Sequence, residues 1–293
     1  MIPFELSEPG TFAEAVGLLD PGNPTIRPIA GGTALMLMMK SGVFQPSRLV
    51  SLRNVEPHYA RVELSEDGGL RAGALASLGG LERDAAVIRA FPVLKDTLRV
   101  LSNVRVRNVA TIGGNLAHAD PHMDLPPVLV ALDASVTAVA PSGTRTIAVA
   151  DLFAGYYETT LAADELISEL VVPPQRGRRS VYIKCTTRSA HDWPALGVAV
   201  SLQMAGAVIA DARIVLSAAV EKPQRMTRAE AAVNGEQAAE AALRAAAEAA
   251  AIDADVISDV RGSAPYKRQL IRVNVMRALQ KAVASPNDGA VRS

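Results

Sequence analysis

The chain has 293 residues, with 30 basic and 30 acidic side chains and a formal net charge of zero. A balanced charge gives no long-range field to gather nucleic acid or an anionic membrane surface, so neither is expected as a partner. A single cysteine, Cys185, excludes an internal disulfide and any iron–sulfur cluster held within this chain, because such a cluster takes about four thiolates.

The length suffices for two domains with buried cores. No basic segment followed by an apolar one opens the chain, so no signal peptide is predicted and a cytoplasmic location is expected. Thr11-x-x-Glu14 reads as a capping box ahead of a helical apolar face made by Phe12, Ala15, Val16, Leu18 and Leu19. Pro21 and Pro24 end that helix. Residues 26–30 read as a short strand, Gly31-Gly32-Thr33 as a turn, 34–40 as an apolar helix start and 49–52 as the next strand. The first fifty-odd residues form a small βαβ-like unit.

A hairpin follows, with 62–64 and 70–73 joined by Glu66-Asp67-Gly68-Gly69. Residues 81–87 and 92–101 read as helices. The β-branched run 104–110 predicts a strand, Thr111-Ile112-Gly113-Gly114-Asn115 a turn at its end, and 125–132 an apolar helix that Asp124 could cap and a proline could start. Another hairpin is expected from 135–140 and 146–149 around Pro141-Ser142-Gly143, and 166–172 adds a strand. Fold class is α+β.

Residues 173–179 break the pattern and set the expected boundary between a domain at 1–174, with lobes at about 1–55 and 56–174, and a smaller one at 178–286; 287–293 would be a tail. Arg176, Arg178 and Arg179 in that stretch read as a solvated linker, the alternative being a partner contact or phosphate patch. Strands are expected near 180–185, 195–204 and 208–220. The uncharged run 193–210 is nearly long enough to span a membrane, but it holds Gly197, Ser201, Gln203 and Gly206 and alternates like paired strands. It predicts a buried hairpin and no integral membrane segment. Thr227-x-x-Glu230 opens a helix that Gly235 ends, 236–251 is an alanine-rich helix, and 265–284 is a helix after a Ser263 cap.

Two glycine pairs carry the functional reading. Without a Cβ, consecutive backbone N–H groups can point into one concavity and an anion can approach closely. Two such loops predict two phosphates, hence a dinucleotide diphosphate, with both loops facing one cleft. Neither has the G-x-G-x-x-G spacing, which disfavours a Rossmann fold.

The residues Ala30-Gly31-Gly32-Thr33, then Thr111-Ile112-Gly113-Gly114-Asn115, Asp120-Pro121 and Asp124 resemble the FAD-binding medium subunit of the molybdenum hydroxylases, the xanthine dehydrogenase and aerobic carbon monoxide dehydrogenase family. The resemblance covers nearly the whole chain. It implies a two-lobed FAD-binding domain of the PCMH type, followed by a C-terminal domain of an antiparallel sheet with helices. It also implies FAD on this chain, [2Fe-2S] clusters on an iron–sulfur small subunit, and a molybdopterin cofactor on a large subunit, assembled as a dimer of heterotrimers.

The FAD-binding residues that the resemblance carries over are Ala30, Gly31, Gly32, Thr33, Ala34 and Leu35 in the first loop and Thr111, Ile112, Gly113, Gly114 and Asn115 in the second. Leu101 and Ile167 match apolar flavin-wall positions on the flanks of strands bordering the second loop. Asp124 either caps its helix or contacts the ribose or flavin ring. Lys184, at the end of a predicted strand, would stabilise negative charge on a reduced flavin and raise its potential. Trp193 is the only tryptophan; it lies either in the core or against the isoalloxazine. Ala110 stands where a glycine is usual, which tightens that turn, and Arg188 is one place late for the family's pattern and is left out.

His118-x-Asp120-x-His122-x-Asp124 has metal-ligand residue types, but Pro121 and the glycine context argue for a loop without a metal. No Ser–His–Asp order, Cys–His pair or paired acid–base carboxylates stand out. The expected function is therefore to bind, orient and tune an electron-carrying cofactor. The alternatives are a self-sufficient flavin oxidoreductase of the same shape and a binding protein that has lost the flavin.

Overall fold

The computed structural model describes residues 2–189 and 191–285; the tail expected at 287–293 lies outside the described residues, as does residue 286. The first lobe contains β1 (Glu5–Ser7), α1 (Phe12–Gly17), β2 (Ile26–Ile29), α2 (Leu35–Lys40) and β3 (Arg48–Ser51). β3 lies between β1 and β2, parallel to both. Thr11 and Glu14 close the capping box, which directs Phe12, Ala15 and Val16 into a small core with Val50 and Leu52.

The second lobe runs through β4 (Val62–Leu64), β5 (Leu70–Gly73), α3 (Leu78–Arg83), α4 (Ala85–Ala90), α5 (Pro92–Val100), α6 (Val104–Val109), α7 (Ile112–His118) and α8 (Leu125–Ala131). It continues with β6 (Ser135–Ala140), β7 (Gly143–Ala148), β8 (Phe153–Gly155), β9 (Glu158–Thr159) and β10 (Leu166–Val172). Five of its strands form an antiparallel sheet in the order β4-β5-β10-β6-β7.

Four expectations are corrected here. The predicted strand at 104–110 is helix α6, because the Asn103 side chain accepts the N–H groups of Arg105 and Val106 and starts a turn that outweighs β-propensity. The helix expected over 81–87 is two helices, broken at Asp84, whose carboxylate caps the second by accepting from Ala86 and Val87. Gly113 and Gly114 form the first turn of α7 instead of a loop, with Thr111 as its cap. Leu101 lies on no strand; it is the C-cap of α5.

The third part consists of β11 (Arg178–Cys185), β12 (Leu196–Ala205), β13 (Val208–Ser217), β14 (Gln224–Arg225), α9 (Thr227–Ala231), α10 (Glu240–Asp253) and α11 (Ala264–Ala284). Its sheet is antiparallel in the order β11-β12-β13-β14. Tyr182, Ala199 and Val215 on one face join the core of the second lobe, while Val181, Val198, Val200, Ile214 and Leu216 face α10 and α11. A sheet covered on both faces needs apolar residues at nearly every position, which is why 193–210 reads so hydrophobic. Among the described residues no helix is long and apolar enough to cross a membrane.

The arginine run is not a solvated linker throughout: Arg178 opens β11 and donates to Ser201 Oγ at 2.8 Å and Asp211 Oδ2 at 2.7 Å, and Arg179 donates to the Val283 carbonyl. α9 begins at Thr227. Met226 is the N-cap, and the Glu230 carboxylate turns inward to accept from Ile214 N–H and Arg225. The alanine-rich helix begins four residues later than expected, since Gln237 instead bridges to Val208 beside β13.

Candidate functional site

The two glycine segments meet. A Cβ built on Gly31 would overlap the Val109 carbonyl oxygen and lie 2.9 Å from Ala110 Cα, so the first loop rests directly on the backbone that leads into Thr111. Only glycine permits that approach, and Gly32 beside it has φ of +66°. Between Ile29 and Met36 the chain turns without using its donors: the N–H groups of Gly31, Gly32, Thr33, Ala34 and Leu35 reach no acceptor among the described residues. All five residues are partly exposed. Buried or half-buried amides are normally paired, and a run of five open ones has the donors to hold an anion.

The second segment is built differently. Ile112 N–H donates to Ala76 O at 3.0 Å, Gly113 N–H to Ala74 O at 2.8 Å and Gly114 N–H to Thr111 Oγ1 at 3.1 Å. A Cβ on Gly113 would lie 2.7 Å from that of Ala74. These glycines seat α7 tightly on the strand end after β5, with an isolated bridge between Ser77 and Thr111, and their amides are already engaged. The expectation that this pair offers open amides is corrected for that reason. One atom here does remain open. Asn115 Oδ1 is buried with no partner among the described residues, while its Nδ2 donates to Met123 Sδ at 3.0 Å. An orphaned buried acceptor on one segment and a run of unpaired donors on the other suit a ligand that both accepts and donates, as a dinucleotide does.

A second cluster forms where α8 meets β11. Asp124 occupies the N-cap position of α8 but its carboxylate caps nothing. Oδ1 accepts from Tyr182 Oη at 2.7 Å and Oδ2 from Lys184 Nζ at 2.9 Å. Lys184 Nζ also donates to the Val100 carbonyl at 2.8 Å, immediately before Leu101. Burial pushes the Asp124 carboxyl up to about 6, against the opposing pull of Lys184 and Tyr182; burial likewise drives the Tyr182 phenol well up. Tyr182 carries no mark in a single sequence beyond its spacing, two residues before Lys184 and so on the same face of the strand.

Asp124, Leu101 and Lys184 are thus brought together, and the first loop is brought to the second. Ile167 is buried in β10 within the same core as Ile112, one residue before Ser168, whose carbonyl accepts from Ala74 N–H at 2.9 Å. Trp193 lies in the β11–β12 loop, 51% exposed, with the Arg261 guanidinium 5.2 Å from its ring centroid. Core burial, one of its two expected settings, is corrected.

The histidine and aspartate series separates. His118 packs edge-on against Tyr157, with burial lowering its imidazole's proton affinity. His122 bonds Asp120 and Asp259, and Asp124 belongs to Lys184. Pro121 breaks the alternation that would have put all four on one face.

Comparison with known proteins matches this geometry to a family. Residues 2–175 match the family described as FAD binding domain in molybdopterin dehydrogenase, and residues 181–282 the CO dehydrogenase flavoprotein C-terminal domain. The chain is 35% identical over 278 residues to the nicotine 6-hydroxylase medium subunit of Paenarthrobacter nicotinovorans, covering 95% of this chain and 96% of that protein. It is 31% identical to the carbon monoxide dehydrogenase medium chain of Hydrogenophaga pseudoflava, covering 97% and 99%. A solved structure of the carbon monoxide dehydrogenase from that organism, lacking the Mo-pyranopterin moiety of its molybdenum cofactor, superposes with a TM-score of 0.92 at 32% identity over 97% of this chain and 99% of that one. The chain therefore belongs to the family of FAD-binding medium subunits of the molybdenum hydroxylases, with the FAD-binding domain of the molybdopterin dehydrogenases followed by the carbon monoxide dehydrogenase flavoprotein C-terminal domain.

Proposed function

We propose that this chain holds FAD non-covalently as the electron-transfer subunit of a molybdenum hydroxylase complex, taking electrons from an iron–sulfur subunit and passing them to an external acceptor. The observation that carries the reading is the run of open amides from Gly31 to Leu35, packed against the backbone just ahead of Thr111. Bound there, FAD would supply the exchange of electrons between partner and acceptor, which side chains alone cannot do. The Gly31–Leu35 amides would grip the diphosphate, with Ala30 at the loop's entry. Thr111 to Asn115 would wall the site, and Asn115 Oδ1 would accept a hydrogen bond.

Asp124, Lys184, Leu101 and Ile167 would border the flavin ring, and Trp193 would lie against it. Lys184 is already anchored by Asp124 and Val100 O, so its charge would be fixed in place before the flavin is reduced. The FAD-binding domain would span 1–174 and the C-terminal domain 178–286. With one cysteine in the chain, the [2Fe-2S] clusters would sit on the small subunit and the molybdopterin cofactor on the large one. The complex would be a cytoplasmic dimer of heterotrimers.

Titration of the flavin-free chain with FAD, followed by absorbance and equilibrium dialysis, is the test. One FAD retained per chain is expected. A chain that takes up none would sink the proposal.

A further inference from the structure

A buried polar chain crosses from the segment after α7 into the C-terminal domain. His122 N–H and His122 Nδ1 each lie 2.9 Å from Asp120 Oδ1, and His122 Nε2 faces Asp259 Oδ2 at 3.2 Å. The fully buried Lys267 donates to the same Asp259 oxygen at 2.9 Å and to Ala218 O at 3.3 Å. Ala218 N–H in turn donates to Pro121 O at 2.9 Å, so the two domains are tied by side chain and main chain at one place. The Asp259 carboxylate stays well ionised: burial alone would raise its pKa, but Lys267, the Arg261 N–H and His122 together bring it below the usual range.

The far end of this chain is a short loop. Asp259 and Gly262 exchange backbone hydrogen bonds at 3.1 and 3.2 Å, and Asp259 Oδ1 accepts the N–H of Arg261 at 2.8 Å. Arg261 therefore leaves a clamped backbone, and its guanidinium lies over the Trp193 ring. A half-exposed indole in a loop has several rotamers open to it. A cation fixed above one face favours the orientation that keeps the stack.

We propose that His122 and Asp259 are positioning residues that hold Arg261 over Trp193 and so fix the indole's orientation. The clasp reads as a means of setting how Trp193 meets its ligand, and this purpose rests on the reading in which Trp193 borders the flavin. His122 acts at a distance, through Asp259 and Arg261; its own hydrogen-bond partners are Asp120 and Asp259.

Trp193 is the only tryptophan, so emission from the full-length chain reports this one site. In the FAD-free chain, Arg261→Met is expected to raise the acrylamide quenching constant about twofold. His122→Gln and Asp259→Asn should raise it in the same direction, and Arg261→Lys should recover part of the protection. Arg272→Met, which breaks the ion pair between Arg272 of α11 and Glu248 of α10, should leave it unchanged. If Asp259→Asn does not fold, as judged by far-ultraviolet circular dichroism, the two Arg261 variants and His122→Gln decide. Unchanged quenching in Arg261→Met overturns the clasp, and so does a rise there that folded His122→Gln fails to share. The flavin contact is read separately, in the visible circular dichroism of FAD bound to Trp193→Ala. A changed band supports the clasp's purpose, and an unchanged one overturns the contact while the quenching result stands.

Discussion

Lys184 Nζ lies 2.9 Å from Asp124 Oδ2, and each of the two side chains is only 5% exposed. The pair joins β11 to the start of α8, and Tyr182 supplies a third polar atom to the same carboxylate. Burial raises the Asp124 pKa to about 6, and the neighbouring cation and phenol only partly oppose it. The raised value has a definite sign for stability. The unfolded chain releases this proton near the ordinary carboxylate pKa while the folded chain keeps it, so the group's contribution is largest below about pH 4 and declines as pH rises towards 6. Two pKa units amount to roughly 3 kcal/mol. The difference in unfolding free energy between wild type and Asp124→Asn, from urea titrations, should shrink by about 2 kcal/mol between pH 4 and pH 6, the share of the whole change that falls in that interval. A difference that grows over that interval would contradict the burial effect.

Gly31→Ala places a methyl group on the Val109 carbonyl oxygen, which is main chain and cannot swing aside. A loss of about 3 kcal/mol in stability is expected, at the upper end for overpacking, together with loss of FAD retention. Gly114→Ala meets only the Thr111 hydroxyl, at 2.9 Å. It should cost about 1 kcal/mol, comparable to a weakened N-cap. Thermal melting and flavin absorbance of the two variants side by side provide the comparison, and equal effects would remove the special role of Gly31.

Lys184→Gln tests the charge beside the proposed flavin wall. Removing a fixed cation should make the reduced flavin harder to form, lowering its two-electron potential by roughly 30 mV, the equivalent of a tenfold change in equilibrium. Dye-coupled reduction of the FAD-loaded chain measures it. A potential that does not move would take Lys184 away from the flavin.

Lys267→Met removes the fully buried cation that bonds Asp259. Losing one member of a buried pair leaves an uncompensated charge and is expected to cost about 3 to 5 kcal/mol. Lys267→Met together with Asp259→Asn should recover part of that loss, and a double-mutant cycle with no coupling would dismiss the pair as a stabilising contact.

Much of this architecture can be read from local chemistry. The Thr11 and Glu14 box, the hairpin turn at Glu66-Asp67-Gly68-Gly69 and the Ser263 cap each act within four residues, and each lies where the sequence puts it. The failures arise where distant partners decide. Val104 to Val109 looks like a strand by composition, but Asn103 and the docking of Arg107 on Glu82 and the carbonyls of Leu101 and Ser102 make it a helix. Asp124 has the position of a cap, yet a lysine sixty residues away claims its carboxylate. Glycine pairs are visible in sequence, but which of them keeps its amides open depends on whether a carbonyl such as that of Ala74 is within reach, and that is settled only by the packed fold.

The contact of Gly31 with Val109 and Ala110 has a consequence for assembly. The proposed diphosphate grip belongs to the N-terminal lobe and the wall at Thr111 to Asn115 to the lobe that follows, so neither lobe owns a finished binding site before the two have docked. Cofactor capture would then be a late event in maturation, and a nascent chain whose lobes drift apart would lose flavin and lobe contact in one step. Added FAD should accordingly slow proteolysis between the lobes more than cleavage within either one.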